Sequence, residues 1–168
     1  NIFNLNGLSD VVSINGNLAI GNNAQLTLLD GLNNISEING TAFISENPQL
    51  SVIDCFNKLD TLNGDFSIDH NDNLTSIYGL DSLVCITSHL QIAMNNNLTD
   101  LSGFNKVRKI GDYFIVVTNS SLTNMAGFEN LDTIGGLMIH LNNSLSTLDG
   151  LDNLSRINHN LEIAGNES

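Results

Sequence analysis

Hydrophobic residues along this chain recur on two different steps that alternate with each other. Leu26, Leu29, Leu32, Ile35 and Ile38 are three residues apart, and Ala42 and Ile44, just beyond them, are two apart. A two-residue step puts alternate side chains on one face and predicts a short β-strand. A three-residue step fits a chain bending around a narrow core through tight turns or 3₁₀-like segments, with every third side chain pointing inward. The alternation then returns along the whole chain: Ile14, Ile38, Leu62, Ile86, Ile110, Ile134 and Ile157 follow one another at intervals of 24, the last being 23. Each opens a phrase of the kind INGNLAIGNN, which closes on Asn23, Asn47, Asn71, Asn95, Asn119, Asn142 and Asn166. The short interval between asparagines falls between Asn119 and Asn142, so the missing residue lies between Ile134 and Leu137.

One such unit has apolar side chains and nothing to press them against. Stacking units at the roughly 4.8 Å spacing of neighbouring strands buries those side chains in a continuous column. The predicted fold is therefore an all-β-rich parallel β-solenoid, with residues 1–168 forming a single repeat array of seven coils of about 24 residues. The recurring asparagines belong to the same picture. A short strand ending in a turn leaves inward backbone groups without partners, and an Asn amide carries donors and an acceptor for those of the next coil, which predicts a structural Asn ladder. The glycines Gly16, Gly40, Gly64 and Gly136, and Gly7, Gly31, Gly79, Gly103, Gly127 and Gly150 in the L-x-G-L steps, are expected at corners of positive φ.

The pattern L-x-x-L-x-G-L-x-x-L-x-x-I-x-G-x-L-x-I-x-x-N is carried by LTSIYGLDSLVCITSHLQIAMNNNL from Leu74 and by LSTLDGLDNLSRINHNLEIAGNES from Leu145. Over the whole chain it resembles the receptor L-domain branch of the leucine-rich-repeat superfamily. The resemblance implies a right-handed solenoid, an extracellular, cell-surface location and a non-catalytic binding role, as in growth-factor receptor ectodomains, fungal wall proteins and bacterial surface proteins. The chain lacks the cysteine-rich flanks of the animal receptors, which favours a microbial surface array over hormone binding.

Charge narrows the partners. Five Lys plus Arg against eighteen Asp plus Glu leave a net charge of −13, which repels phosphate backbones and anionic lipid and argues against nucleic acid. No apolar run approaches the roughly 20 residues that span a bilayer, so membrane insertion is not expected. Asn1 begins neither a signal peptide nor an ordinary translation product, and the chain reads as processed or cropped. Asn1 and Ser168 stand at nearly the same phase of the repeat, so the array is expected to end without polar caps. Such ends need cover, either from further repeats in a longer surface protein, the favoured reading, or from copies stacked head-to-tail into a filament.

Recognition must come from positions the fold does not need. The outward columns are Asn17, Thr41, Asp65, His89, Tyr113, Gly136 and Asn160; then Ala19, Phe43, Ser67, Gln91, Ile115, Met138 and Glu162; then Gly21, Ser45, Asp69, Ala93, Val117, His140 and Ala164. Their variety on a regular scaffold marks a candidate binding face for a protein or glycan ligand, centred on Phe43, His89, Gln91, Tyr113, Ile115, Val117, Met138 and His140, with an exposed apolar patch at Tyr113, Ile115, Val117, Met138 and His140. A structural stalk, fibre or sheath is the alternative. Ice binding would call for a regular threonine array, and only Thr41 and Thr118 stand near these faces.

Catalysis fails on geometry. In the column Thr41, Asp65, His89 the carboxylate would separate the hydroxyl from the imidazole, whereas a triad needs the base in the middle. Asp65 and Asp69 lie roughly 13 Å apart on one strand, too far for a glycosidase pair. The stretch Asp69–Asn73 is rich in oxygen ligands but lacks the spacing of known calcium loops and reads as a polar turn. His89, His140 and His159 are each alone in their local sequence, so no metal site or cofactor is expected. Cys55 and Cys85 differ by one coil and six positions of phase, which leaves their bonding open. N-x-Ser/Thr triplets occur at Asn34, Asn39, Asn73, Asn97, Asn119, Asn142, Asn153 and Asn166; Asn119, Asn142 and Asn166 are expected as buried ladder members, and the motif has little specificity for glycans in a chain so rich in Asn, Ser and Thr.

Overall fold

The computed structural model describes residues 2–167. They form a parallel β-solenoid of about six turns with little helix. The main row of strands is Leu18–Gly21, Ala42–Ser45, Phe66–Asp69, Leu90–Ala93, Lys109–Val117, Thr133–His140 and Leu161–Ala164, joined in that order by parallel pairings. A second row, Ser13–Ile14, Glu37–Ile38, Thr61–Leu62 and Cys85–Ile86, continues onto the first residues of Lys109–Val117 and Thr133–His140 and ends on Arg156–Ile157. On another side Val52–Ile53 pairs with Ser76–Ile77, and 3₁₀ turns at Asn6–Leu8, Asp30–Leu32 and Ser102–Phe104 bend the chain between rows. The expectation about the phase of Asn1 and Ser168 lies outside the described residues.

Both hydrophobic steps point inward. Leu26, Leu29, Leu32, Ile35, Ile38, Ala42 and Ile44 are all buried, and the corresponding residues of the next coils join them in one continuous core. Five phenylalanines, Phe56, Phe66, Phe104, Phe114 and Phe128, are also inside; Phe104 stacks on Phe128 at 5.0 Å between ring centroids, and Phe114 meets Phe128 at 4.6 Å. Each fully buried Leu, Ile or Phe stabilises the fold by about 1.5–3 kcal/mol, which is what a coil gains only when a neighbour covers it. The coil with one residue fewer is absorbed locally. Ile110 faces Ile134 and Tyr113 faces Gly136, so the strand Lys109–Val117 bulges at Gly111 and Asp112.

The glycine expectation needs correction. Of the residues assigned to positive-φ corners, only Gly127 and Gly150 adopt that conformation. Gly7 and Gly16 have open space around them, and the rest answer to crowding between coils: a Cβ on Gly64 would lie 2.8 Å from the backbone of Gly40, and one on Gly103 would lie 2.8 Å from Tyr78 Cα. The left-handed corner falls instead on Asn22, Glu46, His70, Met94, Thr118 and Leu141, each directly before a repeat asparagine, with φ between 52° and 59°. Holding a non-glycine residue there costs about 1–2 kcal/mol, so something regular must offset it.

The adjacent asparagines supply that offset. Asn47, Asn71, Asn95, Asn119 and Asn142 are fully buried, and Asn23 and Asn166 half-buried. In the middle coils each Nδ2 donates to the carbonyl two residues back and to a carbonyl of the preceding coil: Asn71 to Asp69 O and Ile44 O, Asn95 to Ala93 O and Ile68 O, all between 2.9 and 3.0 Å. Each Oδ1 accepts the backbone N–H of the preceding coil's asparagine, from Asn23 N to Asn47 Oδ1 through Asn142 N to Asn166 Oδ1. The turn is thus closed by a side chain that satisfies backbone groups on both sides of a coil boundary.

At the two ends of the described chain the apolar column is uncovered. Ile2, Phe3, Leu8 and Val12 are exposed at one end, and Leu148, Leu161 and Ile163 at the other.

Candidate functional site

The outward face of the main strand row carries the candidate site, and strand pairing sets its register. Ala19, Phe43, Ser67, Gln91, Ile115, Met138 and Glu162 stand side by side, coil by coil, as do Gly21, Ser45, Asp69, Ala93, Val117, His140 and Ala164. Side chains next to each other in such a column are about 4.8 Å apart and shield one another. This changes the picture of an exposed patch: Tyr113, Ile115, Val117, Met138 and His140 are half-buried against their column neighbours, while Phe43 is the exposed aromatic of the face at 40%. The tip of His140 is enclosed as well. Its Nε2 has no hydrogen-bond partner and lies 3.9 Å from Glu162 Oε2.

The first column has a structural duty that the repeat pattern did not reveal. Asn17 Oδ1 accepts the Thr41 N–H at 2.9 Å, Asp65 Oδ1 accepts the His89 N–H at 3.1 Å, and His89 Nδ1 accepts the Tyr113 N–H at 3.2 Å. Each side chain closes a backbone donor of the following coil, just before the strand at Thr41 and His89 and just after the bulge at Tyr113. The Asp65 carboxyl is held below its ordinary value: burial alone would raise it, but hydrogen bonds from the Ser88 side chain and the His89 backbone, with the nearby His89 ring, outweigh that effect. Acceptance at Nδ1 places the proton of neutral His89 on Nε2. That nitrogen points to Asp112 Oδ2 at 3.6 Å.

Asp112 and His159 are the members of this region that reading one repeat at a time does not find. Asp112 projects from the bulge, and its other oxygen lies 3.7 Å from His159 Nδ1. Between the two imidazoles lies Tyr113, stacked on His89 at 6.1 Å and tilted against His159 at 6.0 Å. Tyr113 reaches past the intervening coil because that coil presents Gly136, whose absent side chain leaves space for the phenol ring. The available signal was the shortened interval at Ile134–Leu137, which pairs a glycine with the tyrosine.

A hollow of about 440 Å³ opens in the middle of the face, lined by Phe43, Asp65, Ser67, Asp69, His89, Gln91 and Ile115 above the buried Phe66. Ser67 is its floor, and the serine Oγ donates to Asp69 Oδ2 at 2.9 Å. The oxygen-rich stretch Asp69–Asn73 does not converge: Asn71 turns into the core, and Asp69 Oδ1 meets His70 Nδ1 at 2.9 Å. Among the described residues no group of three His, Cys, Asp or Glu is placed to hold a metal ion. Cys55 and Cys85 are both free thiols, with Cys55 buried and its pKa pushed well up by burial and by the neighbouring Asp54 carboxylate. Asn119 and Asn142 are buried acceptors of the seam, and Asn166 is half-buried. No helix of the described residues is long and apolar enough to cross a membrane.

Residues 84–166 match the family model of the receptor L domain. That domain is a ligand-binding, non-catalytic module, typical of extracellular receptor ectodomains and bound to protein ligands. The matched stretch contains His89, Gln91, Tyr113, Ile115, Val117, Met138 and His140; Phe43 lies outside it. No curated protein and no solved structure matches the chain.

Proposed function

We propose that this chain is a non-catalytic, extracellular recognition or adhesion module of a microbial cell surface, and that it binds a protein or glycan partner through the outward face of its main strand row. The observation that carries the reading is the contrast between the two sides of that row. The inward residues repeat almost without variation as Leu, Ile and Phe, while the outward columns change character from coil to coil around Phe43, Gln91, Tyr113, Ile115 and Met138. Packing requires the first pattern and has no use for the second. The asparagines Asn23, Asn47, Asn71, Asn95, Asn119, Asn142 and Asn166 serve as the ladder that keeps this face in register, and the winding is right-handed, as the chirality of parallel connections favours. Screening protein and glycan arrays with the native chain and with Tyr113→Glu/Met138→Glu tests the reading. Partners lost by the folded variant support it; partners retained unchanged overturn it.

A structural reading is favoured by a different observation. The uncovered apolar ends, with Leu161 57% and Ile163 50% exposed on one side and Ile2 and Phe3 on the other, are surfaces on which further coils of the same protein or a second copy stack. Under that reading sedimentation shows concentration-dependent, open-ended association that Leu161→Glu/Ile163→Glu abolishes. A monomer at all concentrations removes the filament and leaves further coils of the same protein as the cover.

A further inference from the structure

The hollow over Ser67 exists because a short serine side chain stands between longer neighbours in its column, with the Phe43 ring on one side and Gln91 and Ile115 on the other. Its two apolar walls lie across the strands. Its two carboxylates lie along them, with Asp65 just before the strand Phe66–Asp69 and Asp69 at its end. Four residues of extended chain separate these acids, roughly 13 Å. None of the chain's five Lys and Arg residues lines the hollow; of the imidazoles, His89, whose backbone N–H is held by Asp65, is part of its wall, and His70 lies beside Asp69. The surrounding charge of −13 adds a long-range pull on cations.

We propose that this hollow receives an extended segment of a partner protein with the pattern basic, any residue, apolar, any residue, basic. The inference rests on the face-recognition reading and specifies the partner's chemistry. In an extended chain, residues two apart share a face, so the central apolar side chain seats over Ser67 between Phe43 and Ile115 while the two cations, four residues apart, reach Asp65 and Asp69. An arginine at either end also meets a carboxylate in a fork geometry that lysine lacks. A neutral glycan would use the hydroxyl and the amide but bring no charge to either carboxylate, so the protein class fits this hollow better.

The test uses two peptides of identical composition and charge, GRGLGRG and GGRLRGG, titrated into isotope-labelled protein at 150 mM salt, a concentration that screens unspecific attraction. GRGLGRG should bind about tenfold more tightly than its permutation and shift the amide resonances of Ser67 and Gln91. Asp65→Asn/Asp69→Asn should erase the difference between the peptides; the side-chain oxygen of the new amide at 65 still accepts the His89 N–H. The charge-matched control Asp10→Asn/Asp81→Asn, at two exposed positions away from the hollow, should preserve it. Equal binding of both peptides, or shifts that avoid Ser67 and Gln91, overturns the proposal. If GRGLGRG fails while array partners remain sensitive to Tyr113→Glu/Met138→Glu, the hollow is refuted and the face reading stands. If array partners are insensitive, the face reading falls on its own test.

Discussion

Replacing Asn95 by alanine tests the seam on which the coil register depends. Asn95 is fully buried; its Nδ2 donates to Ile68 O at 2.9 Å and Ala93 O at 3.0 Å, and its Oδ1 accepts the Asn71 N–H at 3.1 Å. In Asn95→Ala the Ala93 carbonyl keeps the His70 N–H, but Asn71 N–H and Ile68 O lose their side-chain partner. Two buried polar groups at about 1–3 kcal/mol each give a loss of about 2–6 kcal/mol, against a total stability that for a domain is about 5–15 kcal/mol. Asn95→Asp should be worse despite its matching shape, because an oxygen would then face both carbonyls. Asn63→Ala is the control: Asn63 is exposed and donates only to exposed Asn39, so its loss should stay near 0.5 kcal/mol. Urea unfolding measures the series, and amide exchange at Asn71 provides a local readout that does not require the array to unfold in one step. An Asn95→Ala midpoint as close to the native protein as that of Asn63→Ala, or an Asp variant more stable than the Ala variant, would refute the argument.

Three further outcomes follow from other positions. Thr118, a β-branched residue at φ 56°, should be stabilised by about 0.5–1 kcal/mol as Thr118→Gly, the relief of the left-handed backbone exceeding the added chain entropy, measured as a higher thermal midpoint. Gly64→Ala should cost about 1–3 kcal/mol because its Cβ would press on the Gly40 backbone, whereas Gly16→Ala, with open space around it, should be near neutral. The acid limb of stability has two opposed contributions: Asp65, held below 3.8, adds stability that is present above that value and lost as pH falls through its lower folded pKa, so Asp65→Asn flattens the decline. Asp54, raised above 3.8 mainly by burial and by Asp30, opposes folding once ionised, so Asp54→Asn should raise the thermal midpoint at pH 7 and not at pH 3.

The core was legible in the sequence because the solenoid writes each coil in the same phase. Leu26 to Ile44 are apolar for the same reason that they are buried, and Asn47 to Asn142 recur because each closes the same turn. The glycines misled because two causes select glycine. Gly127 has a left-handed φ, but Gly64 and Gly103 have none and merely lie under the next coil's backbone, a contact between residues about 24 apart that no local rule detects. The outward columns could be aligned by counting, yet their exposure could not, since whether Ile115 is covered depends on Gln91 and Met138 beside it. His89 and His159 each stand alone in their local sequence, and Asp112, which lies between them, occupies the position that Gly16, Gly40, Gly64 and Ser88 hold in the earlier coils, so no single repeat shows the three together.

The shortened coil is where structure and recognition meet, and Gly136→Ala probes it. A Cβ there would lie 2.6 Å from Tyr113 Cδ1, while the backbone around the position is not the obstacle. A ring can swing, so the fold should lose less than about 1 kcal/mol, and the Tyr113 ring should leave its place between His89 and His159. Proton chemical shifts of the two imidazoles report this directly, since a stacked phenol at about 6 Å perturbs them through its ring current. If those shifts move while the urea midpoint holds, the shortened coil serves the outward face rather than the core, and array partners that depend on Tyr113 should weaken with it. If the midpoint falls as far as in Gly64→Ala and the imidazole shifts stay put, Gly136 is one more inter-coil contact and Tyr113 owes its position to something else.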